Sequence, residues 1–410
     1  MKRVVSLSGL VLAGLMPLAA QALDNVAING FLTAGATYGD SEVPLQDGSF
    51  GNEVSFTTDS RIGIQLLADV NSNVSVTSQL FARADEEAYN MSADWAFVTY
   101  KVNDPLSFRM GKIKLTTFLI SDYYDVGYAY PWIRPPMEVY SSNPIETISG
   151  ADILYRLNFG DNQLLIQPYF GDSHGEEALQ PQETLYDHAT QSGFIQMLYP
   201  GISPGAADAM ADSMPLKGDI NFVEFEVHKM RGINIALSSN IFTVRAGYLK
   251  TLVSAESFGV EDEEAEFASV GFTVDWKNVV IYSEYFERDI TGLAQLAFPD
   301  QKGSYVTLGY RTGRLLTHVT QAKTEDNDSP ATATHPIFGP LPLAPLEQES
   351  TTVGFRYELG AGAAMKFEVQ NIKPKEGTRG LLLYNPNDPS TNKDPSDSIN
   401  IYSFAIDVVF

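Results

Sequence analysis

Basic residues recur along this chain on one parity of short alternating segments. Arg61, Arg83, Arg109, Arg156, Arg245, Arg311, Arg356 and Lys366 each fall opposite an apolar row. Acids of the same parity are fewer, chiefly Glu284, Glu358 and Glu368. Four more, Asp122, Asp125, Glu138 and Glu146, lie in one long aromatic-rich stretch, 114–149. Cations on one wall facing carboxylates on another would do electrostatic work rather than covalent chemistry. A transverse field orients dipolar solutes and rejects apolar ones, which lose water without compensation, and rings of charge select ions in the same way. The competing use of these residues is local pairing that only holds the acidic stretch in place. Basic walls favour anions such as carboxylates and acidic outer segments favour cations, so the sequence leaves the sign of selectivity open.

Covalent chemistry finds little support. The histidines are His174, His188, His228, His318 and His335, none within a Gly-x-Ser-x-Gly or His-Glu-x-x-His context. His228 and His318 fall on or near strands and read as wall residues. The absence of cysteine removes disulfides and thiolate metal sites. A net charge of −24 removes the basic face that nucleic acid requires. No cofactor or metal is implied.

The segments that carry these charges alternate with period 2. In 26–39, Val26, Ile28, Leu32, Ala34, Ala36 and Tyr38 share one face, with Phe31 the exception. Ile62, Ile64 and Leu66 alternate with Arg61, Gly63 and Gln65. Ala268, Val270, Phe272, Val274 and Trp276 do the same, as do Val353, Phe355, Tyr357 and Leu359. This is half-buried strand periodicity. Beyond the first 26 residues no apolar run is long enough for a membrane helix. A closed β-barrel is the other structure that satisfies every backbone group in lipid.

Connections alternate between tight and long. The tight ones are 71–73, 103–105, 160–162, 238–240, 277–278, 313–314 and 360–362, most carrying Asn, Asp or Gly. The long ones are 40–52, 84–91, 114–149, 172–219, 254–264, 289–302, 325–349 and 374–398. That alternation predicts an all-β transmembrane antiparallel barrel of about 16 strands, with 14 or 18 left open by the stretch 172–238, where Asn221–Val227 could extend a strand. A charge on the lipid face near midplane would cost ~2–4 kcal/mol, so the shared parity of the eight cations supports the strand assignment.

Both ends read as export signals. Residues 1–22 form a secretory signal peptide, with Lys2 and Arg3 before an apolar stretch and Ala20-Gln21-Ala22 as cleavage site, leaving 23–410 as one barrel. At the other end Tyr402, Phe404, Ile406, Val408 and Phe410 share a face opposite Ser403, Ala405 and Asp407.

With these features the chain resembles the porin superfamily of Gram-negative outer membranes, and its last strand is similar to the signal read by the barrel-assembly machinery. The resemblance implies a homotrimer of 16-stranded barrels, with the third long loop, about Lys114–Ser149, folded into the lumen. That loop carries Phe118, Tyr123, Tyr124, Tyr128, Tyr130, Trp132 and Tyr140 and is stiffened by Pro131, Pro135, Pro136 and Pro144. It lacks the Pro-Glu-Phe-Gly-Gly motif of the best-known members. The expectation is passive diffusion of small hydrophilic solutes or ions, with Arg61, Arg83 and Arg109 opposite the loop. Expected partners are outer-membrane lipid and lipopolysaccharide, the acidic run Glu261-Asp262-Glu263-Glu264 sharing divalent cations with its phosphates. Two other readings stand beside this one: a structural or adhesive barrel with a plugged lumen, and an outer-membrane hydrolase.

Overall fold

The computed structural model describes residues 25–40, 52–84, 89–179, 222–255, 260–296, 298–327, 332–335, 339–342, 346–375, 378, 380–381 and 398–410. The signal-peptide segment lies outside these residues. Strands follow the alternating pattern: β1 Val26–Gly39, β2 Arg61–Asp69, β3 Val74–Ala84, β4 Tyr89–Lys101, β5 Leu106–Lys114, β6 Thr147–Phe159, β7 Asn162–Leu179, β8 Phe222–Ser238 and β9 Phe242–Ala255. They continue with β10 Val260–Trp276, β11 Val279–Ile290, β12 Gln301–Thr312, β13 Leu315–Asp326, β14 Thr332–His335, β15 Gly339–Pro342, β16 Gln348–Gly360, β17 Ala363–Pro374 and β18 Ile399–Val409.

Each barrel strand pairs antiparallel with its sequence neighbour, β13 passes directly to β16, and β18 returns to β1. The result is a closed 16-stranded barrel, with β14 and β15 set apart as a two-stranded hairpin inside the stretch read as one long loop. Closure is tight at the seam, where Gly30 and Phe410 exchange backbone bonds at 2.7 and 2.9 Å. The doubtful stretch 172–238 resolves at its ends as strand: β7 runs out to Leu179 and β8 begins at Phe222, so 222–227 lengthens a wall strand. The stretch 254–264 is likewise mostly strand, β9 and β10 reaching Ala255 and Val260.

The pleat sorts side chains into two environments. On β18, Tyr402, Phe404 and Ile406 are exposed on the outer wall while Ser403, Ala405 and Asp407 are buried inside. Phe31, the exception on β1, points inward and meets Phe81, ring centroids 6.1 Å apart. Trp276 stands outside beside its turn, with the Lys277 ammonium 4.4 Å from its ring, as an interface aromatic does. Toward the long-loop end, the outer face of β9–β17 becomes a band of cross-strand charges: Lys250 opposite Glu266, Lys302 opposite Glu287 and Glu325, and Glu349 opposite Lys323 and Lys373. Lipid tails exclude charge, so that band marks where the wall leaves the hydrocarbon.

Candidate functional site: the third loop inside the barrel

Pairing of Lys114 with Thr147 closes the β5–β6 hairpin, and the loop between them, L3 (115–146), turns into the lumen. Short 3-10 turns at Ser121–Tyr123 and Gly127–Ala129 and a single helical turn, α1 (Met137–Tyr140), make it compact. Its rings want burial. Phe118, Tyr140 and Trp132 pack on Phe267, Phe286 and Tyr305 of the wall, forming an apolar core inside the barrel beside β9–β12.

A loop in this position has no ladder for its carbonyls, and each buried carbonyl needs a donor. Wall cations supply them. Arg61 donates from Nε to the Asp125 carbonyl at 2.9 Å and from Nη2 to the Tyr130 hydroxyl at 2.6 Å. Arg356 donates to the carbonyls of Tyr128 and Tyr130, at 2.7 and 2.9 Å. Lys366 donates to those of Gly127 and Trp132, at 2.6 and 2.5 Å. Arg245 donates to the Phe118 carbonyl at 3.0 Å, and Arg288 to that of Ser142. Wall carboxylates complement them: Glu284 accepts from the Leu119 amide and Tyr140 hydroxyl, and Glu368 from the Ile133 amide.

Three of the four loop carboxylates meet wall cations. Asp122 pairs with Arg245. Asp125 lies 3.0 Å from Arg83 and 3.1 Å from Lys114, and Glu146 lies 3.3 and 2.9 Å from the same two. Burial by itself would raise the Asp125 carboxyl, but Lys114, Arg83 and Arg61 outweigh it and hold it well below the usual carboxylate range. Glu138 departs from expectation. It is buried against the Gln348 amide at 2.8 Å, with no cation opposite among the described residues, and burial pushes its carboxyl up.

The remaining predicted cations make no hydrogen bond to L3 among the described residues. Arg109 sits a few residues above the 103–105 turn and is clasped by Asp152 of the adjacent strand. Arg311 holds Asp275 at 2.9 and 3.1 Å, near the 277–278 turn. Arg156 lies half-buried on β6 with no side-chain hydrogen bond among the described residues. Arg356 also binds Glu358 at 2.9 Å. Sequence reading missed Lys114, Asp152, Arg288 and the pair formed by Arg134 of L3 with Asp59. The parity of Asp152 and Arg288 was available as a signal. Asp59 and Lys114 sit at strand ends, where parity stops informing.

His318 is buried inside the barrel, 3.6 Å from Glu368. His228 stands at the long-loop rim, its Nε2 2.6 Å from Asp262 and 3.2 Å from Ser254 Oγ. Both partners address the same ring nitrogen, which is not the relay of nucleophile, base and orienting acid that hydrolysis needs. The side chains of His174 and His335, and all of His188, lie outside the described residues. The acidic run is largely engaged internally: Asp262 also meets Lys229, Glu263 caps the amides of Leu293 and Ala294, and Glu264 pairs with Lys250.

A closed 16-stranded barrel with an apolar outer wall and its third loop tucked inside has the fold of a porin. No family profile matches the chain, and no curated protein matches it. Among solved structures it is similar to OmpF of Salmonella typhi, solved with daunomycin (TM-score 0.54, 12% identity, 94% of this chain and 98% of that one). It is similar also to an anion-selective porin from Comamonas acidovorans (0.52, 12%, 94% and 99%). A third is OmpT of Vibrio cholerae in a trimer form (0.51, 11%, 94% and 99%). At such identities the likeness is one of fold.

Proposed function

We propose that this protein is a passive outer-membrane channel for small hydrophilic solutes and ions, in which L3 sets what passes. The observation that carries the reading is the charged face between L3 and β2–β3. The Arg83 side chain is 52% exposed although it pairs with Asp125 and Glu146, so water and solute reach the field between wall and loop. On this reading Arg83, Arg109 and Arg156 touch solute, and Arg61, Arg245, Arg356 and Lys366 serve first to hold the loop. A cationic wall at that gap favours anions, carboxylates among them. Transport of this kind requires no cofactor and no catalysis; a lipase or peptidase assay on the purified barrel tests the hydrolase alternative.

A homotrimer is supported by the outer wall. The outward residues of β18, β1, β2 and β3, such as Phe404, Leu32, Ile64 and Leu80, include no charged side chain among those described, in contrast to the charged band on β9–β17. A sector apolar to its rim suits a subunit contact better than lipid headgroups. We propose further that export removes residues 1–22, giving a mature N-terminus at Leu23, and that assembly reads the strand ending in Phe410. Lipopolysaccharide is the proposed neighbour of the charged band.

The plugged-barrel reading has its own observation: L3 bonds to wall strands on every side of the lumen, from β2 and β3 through β9 and β11 to β16 and β17. Planar-bilayer recording decides between them. Current steps in threes, with a reversal potential showing anion preference that weakens in Arg83→Gln, are expected. Folded protein that never conducts would hand the case to the plug.

A further inference from the structure

Under L3, on the tight-turn side, the barrel holds a half-open cavity of about 300 Å³. Tyr128, Ala129 and Pro131 of the loop roof it, and Val280, Leu316 and Tyr282 give it an apolar side. Arg311, Arg314 and Arg356 face it together with Asp275 and Glu358. We infer that this cup is a binding site for a small organic monocarboxylate with an apolar body.

The charges argue for the anion. Asp275 is taken by Arg311, and Glu358 by Arg356 and by the Tyr128 hydroxyl at 3.1 Å. Arg314, at the 313–314 turn, is the guanidinium left over: its side chain has no hydrogen-bond or ion-pair partner among the described residues. Three guanidinium groups against two carboxylates leave one positive charge, which a monoanion balances. An inorganic phosphate dianion would overshoot that charge and meet Asp275 and Glu358. A guanidinium fork matches a carboxylate in a bidentate pair. The apolar side and the Tyr128 ring, which lies 4.7 Å from the Arg356 guanidinium, would cover an aliphatic or aromatic body. The volume stands at the lower end of the ~300–1,000 Å³ usual for small-molecule sites. The cup deepens the channel reading, on which its filling from the outer side rests.

The test is calorimetric titration of the refolded full chain in detergent with benzoate, its neutral analogue benzamide, and phosphate. Saturable benzoate binding is expected, at least tenfold weaker in Arg314→Gln and retained in Lys101→Gln, an exposed cation at the 103–105 turn that does not line the cup. Arg314 is exposed in a turn, so its loss leaves the barrel folded, which heat-modifiable gel mobility checks. Benzoate binding that ignores Arg314→Gln, or none to folded wild type, overturns the site. Benzamide or phosphate binding as well as benzoate overturns the ligand class. Conductance separates the two claims: a conducting barrel that binds no benzoate keeps the channel and loses the cup, and a silent barrel that binds it does the reverse.

Discussion

Lys114, the last residue of β5, places its ammonium 3.1 Å from the carboxylate of Asp125, eleven residues further on in the loop that β5 launches. Both side chains are more than nine-tenths buried, and Glu146 and Arg83 complete the cluster. The strand that delivers L3 into the lumen thus also pins its far side.

Asp125→Asn removes the buried acid and leaves Lys114 and Arg83 crowded, with only the partly exposed Glu146 as their shared counter-charge. Breaking a buried pair in this way costs about 3–5 kcal/mol. The loss falls on the loop rather than the barrel. Amide exchange over 121–134 is expected to quicken by roughly a hundredfold or more, at ~1.4 kcal/mol per decade, with the wall strands unchanged. Equal exchange in mutant and wild type would remove the cluster from the list of loop anchors.

The same carboxylate sets a pH response. Its native pKa is depressed, so its stabilisation is complete above the unfolded value of about 3.9 and is lost as pH falls through the native value. Loop protection is expected to stay flat from pH 8 to about 5 and to fall only in stronger acid. A transition near pH 6 would point to some other group.

Glu138 has the opposite sign. Its raised pKa means that the ionised form is penalised in the fold, so the penalty is largest at high pH and vanishes once the group is protonated. Its neighbours Gln348 and Ser350 are neutral, and no cation pairs with it among the described residues. Glu138→Gln keeps the acceptor and drops the charge. The variant is expected to melt above wild type at pH 8 and to converge with it at pH 4; a variant less stable at pH 8 would show that the charge is satisfied.

Gly111, Gly150 and Gly171 stand side by side across β5, β6 and β7. Gly111 has φ +139°, and a Cβ there would lie 2.3 Å from the Ala96 carbonyl oxygen, a backbone atom that cannot step aside. Gly111→Ala is expected to cost about 1–3 kcal/mol, read as a lower urea midpoint for the folded barrel. An unchanged midpoint would mean the wall relaxes there freely.

Much of this architecture was legible without coordinates. Period 2 put Tyr402, Phe404 and Ile406 outside and Asp407 inside, because a pleated strand between lipid and lumen has only two faces. The alternation of tight and long connections gave the strand number, and the rings of 115–146 foretold a loop that had to be buried. The eight cations were assigned to the interior by the same parity. Their duties were not legible. That Lys366 reaches the carbonyls of Gly127 and Trp132, that Arg109 turns to Asp152 and that Glu138 meets an amide depend on where an irregular loop runs through three dimensions. Parity orients a side chain within a strand, but L3 has no repeat to extrapolate. Its course is set by which ring finds the wall and which carbonyl finds a donor, and those partners lie more than a hundred residues away for Phe118, Tyr128 and Trp132. The periodic wall was therefore decided by sequence, and the partition of its charges between holding the loop and meeting a solute by tertiary structure alone.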